Sequence, residues 1–171
     1  PKQKGMDGKN LLMVPEQVAL ALRADGWIIR NKIIWAKGLS FCPTYSGSVM
    51  PESVRDRTNW SWEYVYHLAL NPDYYYDIDG CREPFAAITK AEATKPYTGQ
   101  GQKAYAAAGA QNPSDVKRRV LASIAEGNGR NLRNVWVIPK QSYKGAHFAT
   151  FPEKLVEPII KLGTSEKGNC P

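Results

Sequence analysis

The residues able to do chemistry in this chain are mainly arginines, lysines and aromatic rings. His67 and His147 have no cysteine or histidine partner at ligand spacing, and a lone Cys170 cannot hold zinc. Cys42, Cys81 and Cys170 are three widely spaced cysteines, which suits a reduced protein better than a disulfide framework. The basic groups fall in two places. Arg55 and Arg57 lie in a turn with Glu52 and Asp56, where they read either as surface ion pairs or as fork donors to phosphate or guanine. Lys117, Arg118 and Arg119 form a short patch on a helix, either a solvated face or a phosphate contact. A third candidate is the loop with His147, Phe148 and Phe151, directly before a helix. Its rings either staple the helix to a core or wall a pocket at exposed helix N-terminal amides.

The elements that must position these groups can be read from periodicity. Residues 11–25 read as a helix, with Pro15 in the first turn, Val18 and Leu22 as an apolar pair and Gly26 closing it. Residues 27–35 are β-branched and aromatic, bounded by Gly26 and Gly38, and read as a strand. The polar residues Arg30 to Lys32 at its centre predict a bulge or an exposed end. From residue 60 to 70 the chain alternates, with Trp62, Tyr64, Tyr66 and Leu68 on one face. After a turn at Asn71–Asp73, residues 74–77 read as its return strand in an antiparallel hairpin. Residues 97–103 approach low complexity. Residues 114–126 form a helix with Val116, Val120 and Ile124 on its apolar face, and 135–138 a short strand. The last helix runs over 152–162. Thr150 is its expected N-cap and Pro152 opens it; Leu155, Val156, Ile159 and Leu162 make its stripe. Pro158 should kink it or end its first turn, and Gly163 should cap it.

The chain has 171 residues, 43% of them hydrophobic, enough for a packed domain. No run approaches a transmembrane length and no charged-then-apolar leader opens the chain, so a cytoplasmic location is expected. A net charge of +7, with five tryptophans and nine tyrosines, favours a nucleic-acid partner over a merely solvated basic surface. The chain opens on Pro1 and stops at Pro171, and a section of a longer protein is expected.

Five blocks together resemble one family. They are Asn10–Pro15 with Asp25–Trp27 and Ile33–Lys37, then Met50–Arg57, the 62–77 region, Arg130–Pro139, and His147–Pro158. In this order they resemble the S-adenosylmethionine-dependent DNA amino-methyltransferases of the beta motif order, bacterial or phage. Those enzymes methylate N4 of cytosine or N6 of adenine. The resemblance covers residues 10–85 and 135–168. It implies an α/β fold, a partial Rossmann-like methyltransferase sheet with an antiparallel hairpin. It also implies a division into 1–85 (the catalytic side), 86–134 (a variable target-recognition segment) and 135–171 (the cofactor-pocket segment). S-adenosylmethionine is the implied cofactor, held by His147, Phe148, Ala149, Thr150, Phe151, Pro152 and Leu155. Double-stranded DNA is the implied partner, met by Arg55, Arg57, Lys117, Arg118 and Arg119, with a possible cognate restriction enzyme. Tyrosines of the 62–77 region could stack on a flipped base or simply pack.

This chain departs from the family's pattern in several places. Lys37 is followed by Gly38 and Leu39 where relatives have Pro-Asn, and Ser40–Val49 is an apparent insertion. Leu70-Asn71 replaces a Lys-Ser turn. The Pro-Pro-Tyr/Trp catalytic loop and the glycine-rich Asp-Pro-Phe-x-Gly-Ser-Gly cofactor loop are not among the 171 residues, so the chain alone is expected to be inactive. Two rival readings are a non-catalytic basic nucleic-acid-binding module and a degenerate phage remnant.

Overall fold

The first helix, α1 (Val14–Ala24), begins three residues later than expected, because Met13 at φ +51° is left-handed and stops the helix from starting earlier. Pro15 and Glu16 occupy its first turn and Arg23 its last, in the order that suits the helix dipole. Gly26, at φ +104°, reverses the chain into β1 (Ile28–Ala36). The computed structural model describes residues 5, 7–95, 113–143, 145 and 150–165. The side chains of 113 and 114 lie outside that description, as do His147, Phe148, Ala149, Cys170 and the 97–103 segment.

β1 is the centre of a three-stranded sheet in the order β2-β1-β5. It pairs antiparallel with β2 (Trp62–Ala69) and parallel with β5 (Val135–Val137), so the sheet is mixed. The pairing skips Arg30 between Ile29 and Asn31, which is the bulge its polar centre predicts. The register sets Lys32, Ile34 and Ala36 opposite Tyr66, Tyr64 and Trp62, which puts all six on one face. The other face carries Trp35, Glu63 and Trp136.

The return strand expected at 74–77 does not form. The antiparallel pair is present, but it joins the consecutive strands β1 and β2 across a long connection. Asp77 instead makes a turn: its Oδ1 accepts the N–H groups of Asp79 and Gly80, each at 3.0 Å. A carboxylate that binds the two backbone donors ahead of it bends the chain away from a ladder.

Two further helices, α2 (Ala87–Thr94) and α3 (Pro113–Ala125), pack together. A two-stranded antiparallel ribbon of β3 (Arg82–Glu83) and β4 (Arg130–Asn131) flanks them in sequence. Gly129 is obligatory there, because a Cβ would collide with the carbonyl of Glu83. The last helix, α4 (Glu153–Gly163), begins one residue later than expected and runs on through Pro158. Pro158 therefore does not end it. Thr164, not Gly163, makes the closing bonds, with its N–H and hydroxyl both reaching the Ile160 carbonyl at 2.9 and 2.6 Å.

The chain divides into two compact units, Pro1–Tyr75 with Arg133–Glu157, and Tyr76–Leu132 with Pro158–Pro171. The core of the first is small: Ala19, Trp35, Ala36, Ala69, Trp136, Pro152 and Leu155. Buried Ala19 takes the place expected of Val18, which stays half exposed. In the second unit Ala93 and Leu162 are buried, whereas Val116 and Ile159 remain exposed.

Candidate functional site

The parallel strands β1 and β5 end side by side at Ala36 and Val137. In sheets with parallel strands, ligands gather beyond the carboxyl ends. Here that end is built around Trp35. Its indole N–H donates to the Ile138 carbonyl at 2.8 Å, and the Ile138 N–H donates to Ala36 at 3.1 Å, so the ring is pinned. Lys37 Nζ lies over the Trp35 ring, 4.9 Å from its centre, and pairs with Glu63.

Phe151 meets the same ring edge-on, with centroids 6.0 Å apart. Phe151 is 60% exposed, while Pro152 and Leu155, which follow it in the chain, are buried. These three residues of the expected cofactor segment thus split by role. Pro152 and Leu155 are core, and Phe151 offers an exposed aromatic surface beside the buried Trp35. Thr150 is half-buried beside it in sequence. Lys37, Glu63 and Trp35 were not singled out as site residues. Their alternate spacing in a strand hinted at a shared face, but the opposition of Trp35 and Glu63 depends on a register set across the long 37–61 connection.

The opposite face of the sheet bears an aromatic ladder. Trp60, Trp62, Tyr64 and Tyr66 follow one another with ring centroids 4.5, 4.4 and 5.7 Å apart. Lys32 Nζ sits over Tyr64, 3.6 Å from its centre, and lies 3.6 Å from Glu16 of α1. Tyr64 holds the Lys32 ammonium above its ordinary pKa. Burial pushes the Tyr66 hydroxyl up, and that oxygen has no hydrogen-bond partner among the described residues. At the far end of β2, His67 packs edge-on to Tyr74, which accepts a 2.7 Å hydrogen bond from Arg30. Burial, and then the Arg30 charge, depress the His67 pKa.

The turn before β2 separates its two arginines. Glu52 accepts the Trp60 N–H at 3.0 Å and pairs with Arg57 at 2.6 Å. Arg57 also donates to the Thr58 carbonyl at 2.9 Å. The Trp60 N–H, and then Arg57, lower the Glu52 pKa. Asp56 turns away to Lys9. Arg55 is exposed and has no partner among the described residues.

The basic triad lies in the second unit and divides the same way. Lys117 bonds the Lys95 carbonyl and Arg118 pairs with Asp115 at 3.1 Å. Arg119 is exposed with no partner among the described residues. In the same unit a half-open cavity of about 330 Å³ is lined by Arg82, Phe85, Lys90, Ile124 and Asn128, among others. Arg82 is engaged by Asp79 and the Gly129 carbonyl, and Glu83 by Arg130. The described residues contain no group of three or more His, Cys, Asp or Glu able to hold a metal, and no helix long and apolar enough to cross a membrane.

Comparison with known proteins places this arrangement. Residues 5–170 match a family profile described as DNA methylase. The chain is 30% identical over 161 residues to the Type II methyltransferase M.Cfr9I of Citrobacter freundii, covering 94% of this chain and 38% of that protein. It is 30% identical over 168 residues to the Type II methyltransferase M.SmaI of Serratia marcescens, covering 98% and 42%. Against the Type II methyltransferase M.SfiI of Streptomyces fimbriatus it is 36% identical over 99 residues, covering 58% and 21%. The chain thus spans about two-fifths of the first two relatives' length. With a family profile matched along almost its whole length, the chain belongs to the DNA methylase family.

Proposed function

We propose that this chain is the central section of a site-specific DNA amino-methyltransferase, acting on cytosine N4 or adenine N6 in double-stranded DNA within a restriction-modification pair. The methyl group would come from S-adenosylmethionine. The observation that carries the reading is the Phe151 surface at the carboxyl end of β1. An exposed ring set edge-on against the buried Trp35 indole fits an apolar cofactor moiety such as an adenine. The expected cofactor residues His147, Phe148 and Ala149 fall just before it in sequence. The sheet and helices of the first unit suit a Rossmann-like methyltransferase half whose remaining strands come from elsewhere in the protein.

On this reading residues 86–134 form the target-recognition segment, and its cations position the duplex without reading it. Arg55 and Arg119 are the phosphate contacts best placed to act, since neither is engaged by a neighbour. Arg57, Lys117 and Arg118 serve first as internal ties.

The test is transfer of labelled methyl from S-adenosylmethionine to unmodified plasmid DNA. The full-length protein carrying this chain should label DNA, and the 171-residue chain alone should not. In the full protein Phe151→Ala should weaken S-adenosylmethionine binding by about tenfold while leaving DNA binding unchanged. Labelling by the isolated chain would overturn the view that the missing loops are essential. DNA affinity indifferent to S-adenosylmethionine, with no transfer by the full protein, would favour the non-catalytic binding module.

A further inference from the structure

The insertion that follows β1 is closed at its base and open at its tip. Gly38 and Gly47 form an antiparallel bridge, and the Leu39 N–H donates to the Ser46 carbonyl at 3.0 Å. The Tyr45 hydroxyl donates to the Lys37 carbonyl at 3.1 Å. The two strands of the loop approach so closely that side chains are excluded. A Cβ on Gly38 would lie 2.9 Å from the Ser46 oxygen, and one on Gly47 would collide with the Lys37 carbonyl. Within the loop Cys42 Sγ lies 3.5 Å from Thr44 Oγ1.

At the tip stands Phe41, fully exposed, with φ +60°. A single exposed apolar residue is ordinary. A phenylalanine held in the left-handed region while burying none of its ring is not, because strain of this kind persists only where the surroundings impose it. The loop therefore presents the ring on a preformed support. No carboxylate occurs between Lys37 and Met50, so nothing there repels a polyanion. The loop also leaves β1 at the end where Trp35, Lys37 and Phe151 meet.

We propose that Phe41 is a DNA wedge: its ring enters the base stack beside the target pair and fills the space vacated when the target base turns out. The inference rests on the methyltransferase reading above. Apolar side chains inserted between base steps unstack them, and enzymes that modify a base must first take it from the stack. A ring on a loop closed at its base loses less freedom on insertion than one on an open loop.

The experiment uses the full-length protein and a duplex spanning a methylation site mapped on plasmid DNA, made with an intact target pair or with a mismatch there. The parent, Phe41→Ala and Phe41→Trp are compared for single-turnover methyl transfer and for melting temperature. Phe41→Ala should slow transfer into the intact duplex by about tenfold, and the deficit should shrink to about twofold on the mismatch, whose target is already loosened. Phe41→Trp should keep most of the rate, and all three should melt alike. Equal rates for parent and Phe41→Ala on the intact duplex would overturn the proposal. So would an equal loss on both duplexes, or a lower melting temperature for Phe41→Ala, which would make the ring a packing residue. A parent that transfers no methyl group at all would remove the functional reading itself, and the wedge with it.

Discussion

His67 shows how one side chain couples the sheet to pH. Its ring is half-buried against Tyr74, and burial followed by the Arg30 charge disfavours the imidazolium. The folded pKa therefore lies below the ordinary value of 6.5. Above that pH both folded and unfolded chains carry a neutral ring, and its contribution is fully present. As pH falls below 6.5 the unfolded chain takes up the proton first, so stability drops until the folded ring titrates too. His67→Gln should flatten this part of a melting-temperature profile. A parent profile that rises as pH falls from 7 to 5 would contradict the assignment. The presence of a histidine at this position was plain in the sequence. Its neighbours were not, because Arg30 reaches Tyr74 only through the bulge and the chain's turn after β2.

Among the elements, α1, β1 and β2 were legible because each has its own period and its own stop. Pro15 and Gly26 bracket α1, and Gly26 and Gly38 bracket β1. The alternation of Trp62, Tyr64 and Tyr66 became the observed ladder. The stretch at 74–77 misled because three tyrosines carry a strong strand preference, while the turn that overrides it is made by one carboxylate, Asp77. Pro158 does not end α4, which runs on to Gly163 despite the usual cost of an interior proline. The loop after β1 could be recognised only as an insertion; its pinch is a matter of close backbone approach that no local pattern announces. That pinch makes a strong prediction. Gly47 sits at φ +73°, so Gly47→Ala combines left-handed strain with a steric clash and should cost at least about 1–2 kcal/mol. Chemical denaturation of the parent and variant would measure it, and an unchanged midpoint would show that the loop base is not closed as described.

For the whole molecule, the net charge of +7 says that DNA affinity, on the proposed function, should fall with salt. It does not say which cations matter, and the structure narrows the choice. Arg57 is spent on Glu52 and Thr58, whereas Arg55 is unengaged among the described residues. In the full protein Arg55→Ala should lower the slope of log affinity against log salt by about one and leave the melting temperature unchanged. Arg57→Ala should leave the slope nearly intact and cost at most about 1 kcal/mol of stability, as exposed pairs do. The reverse pattern would show that Arg57 faces the duplex and that its pairing with Glu52 gives way there.

The Gly38–Gly47 bridge also bears on how such a protein can change. Because the chain returns to the place it left, the strands on either side are indifferent to what lies between. Residues 40–44, inside the ties made by Leu39, Tyr45 and Ser46, then behave as an exchangeable cassette. Lengthening it costs little closure entropy, and a new tip residue disturbs no core contact. A lineage could alter how it meets its polymer by trading this one loop, leaving the ladder, the sheet register and the surface around Trp35 untouched.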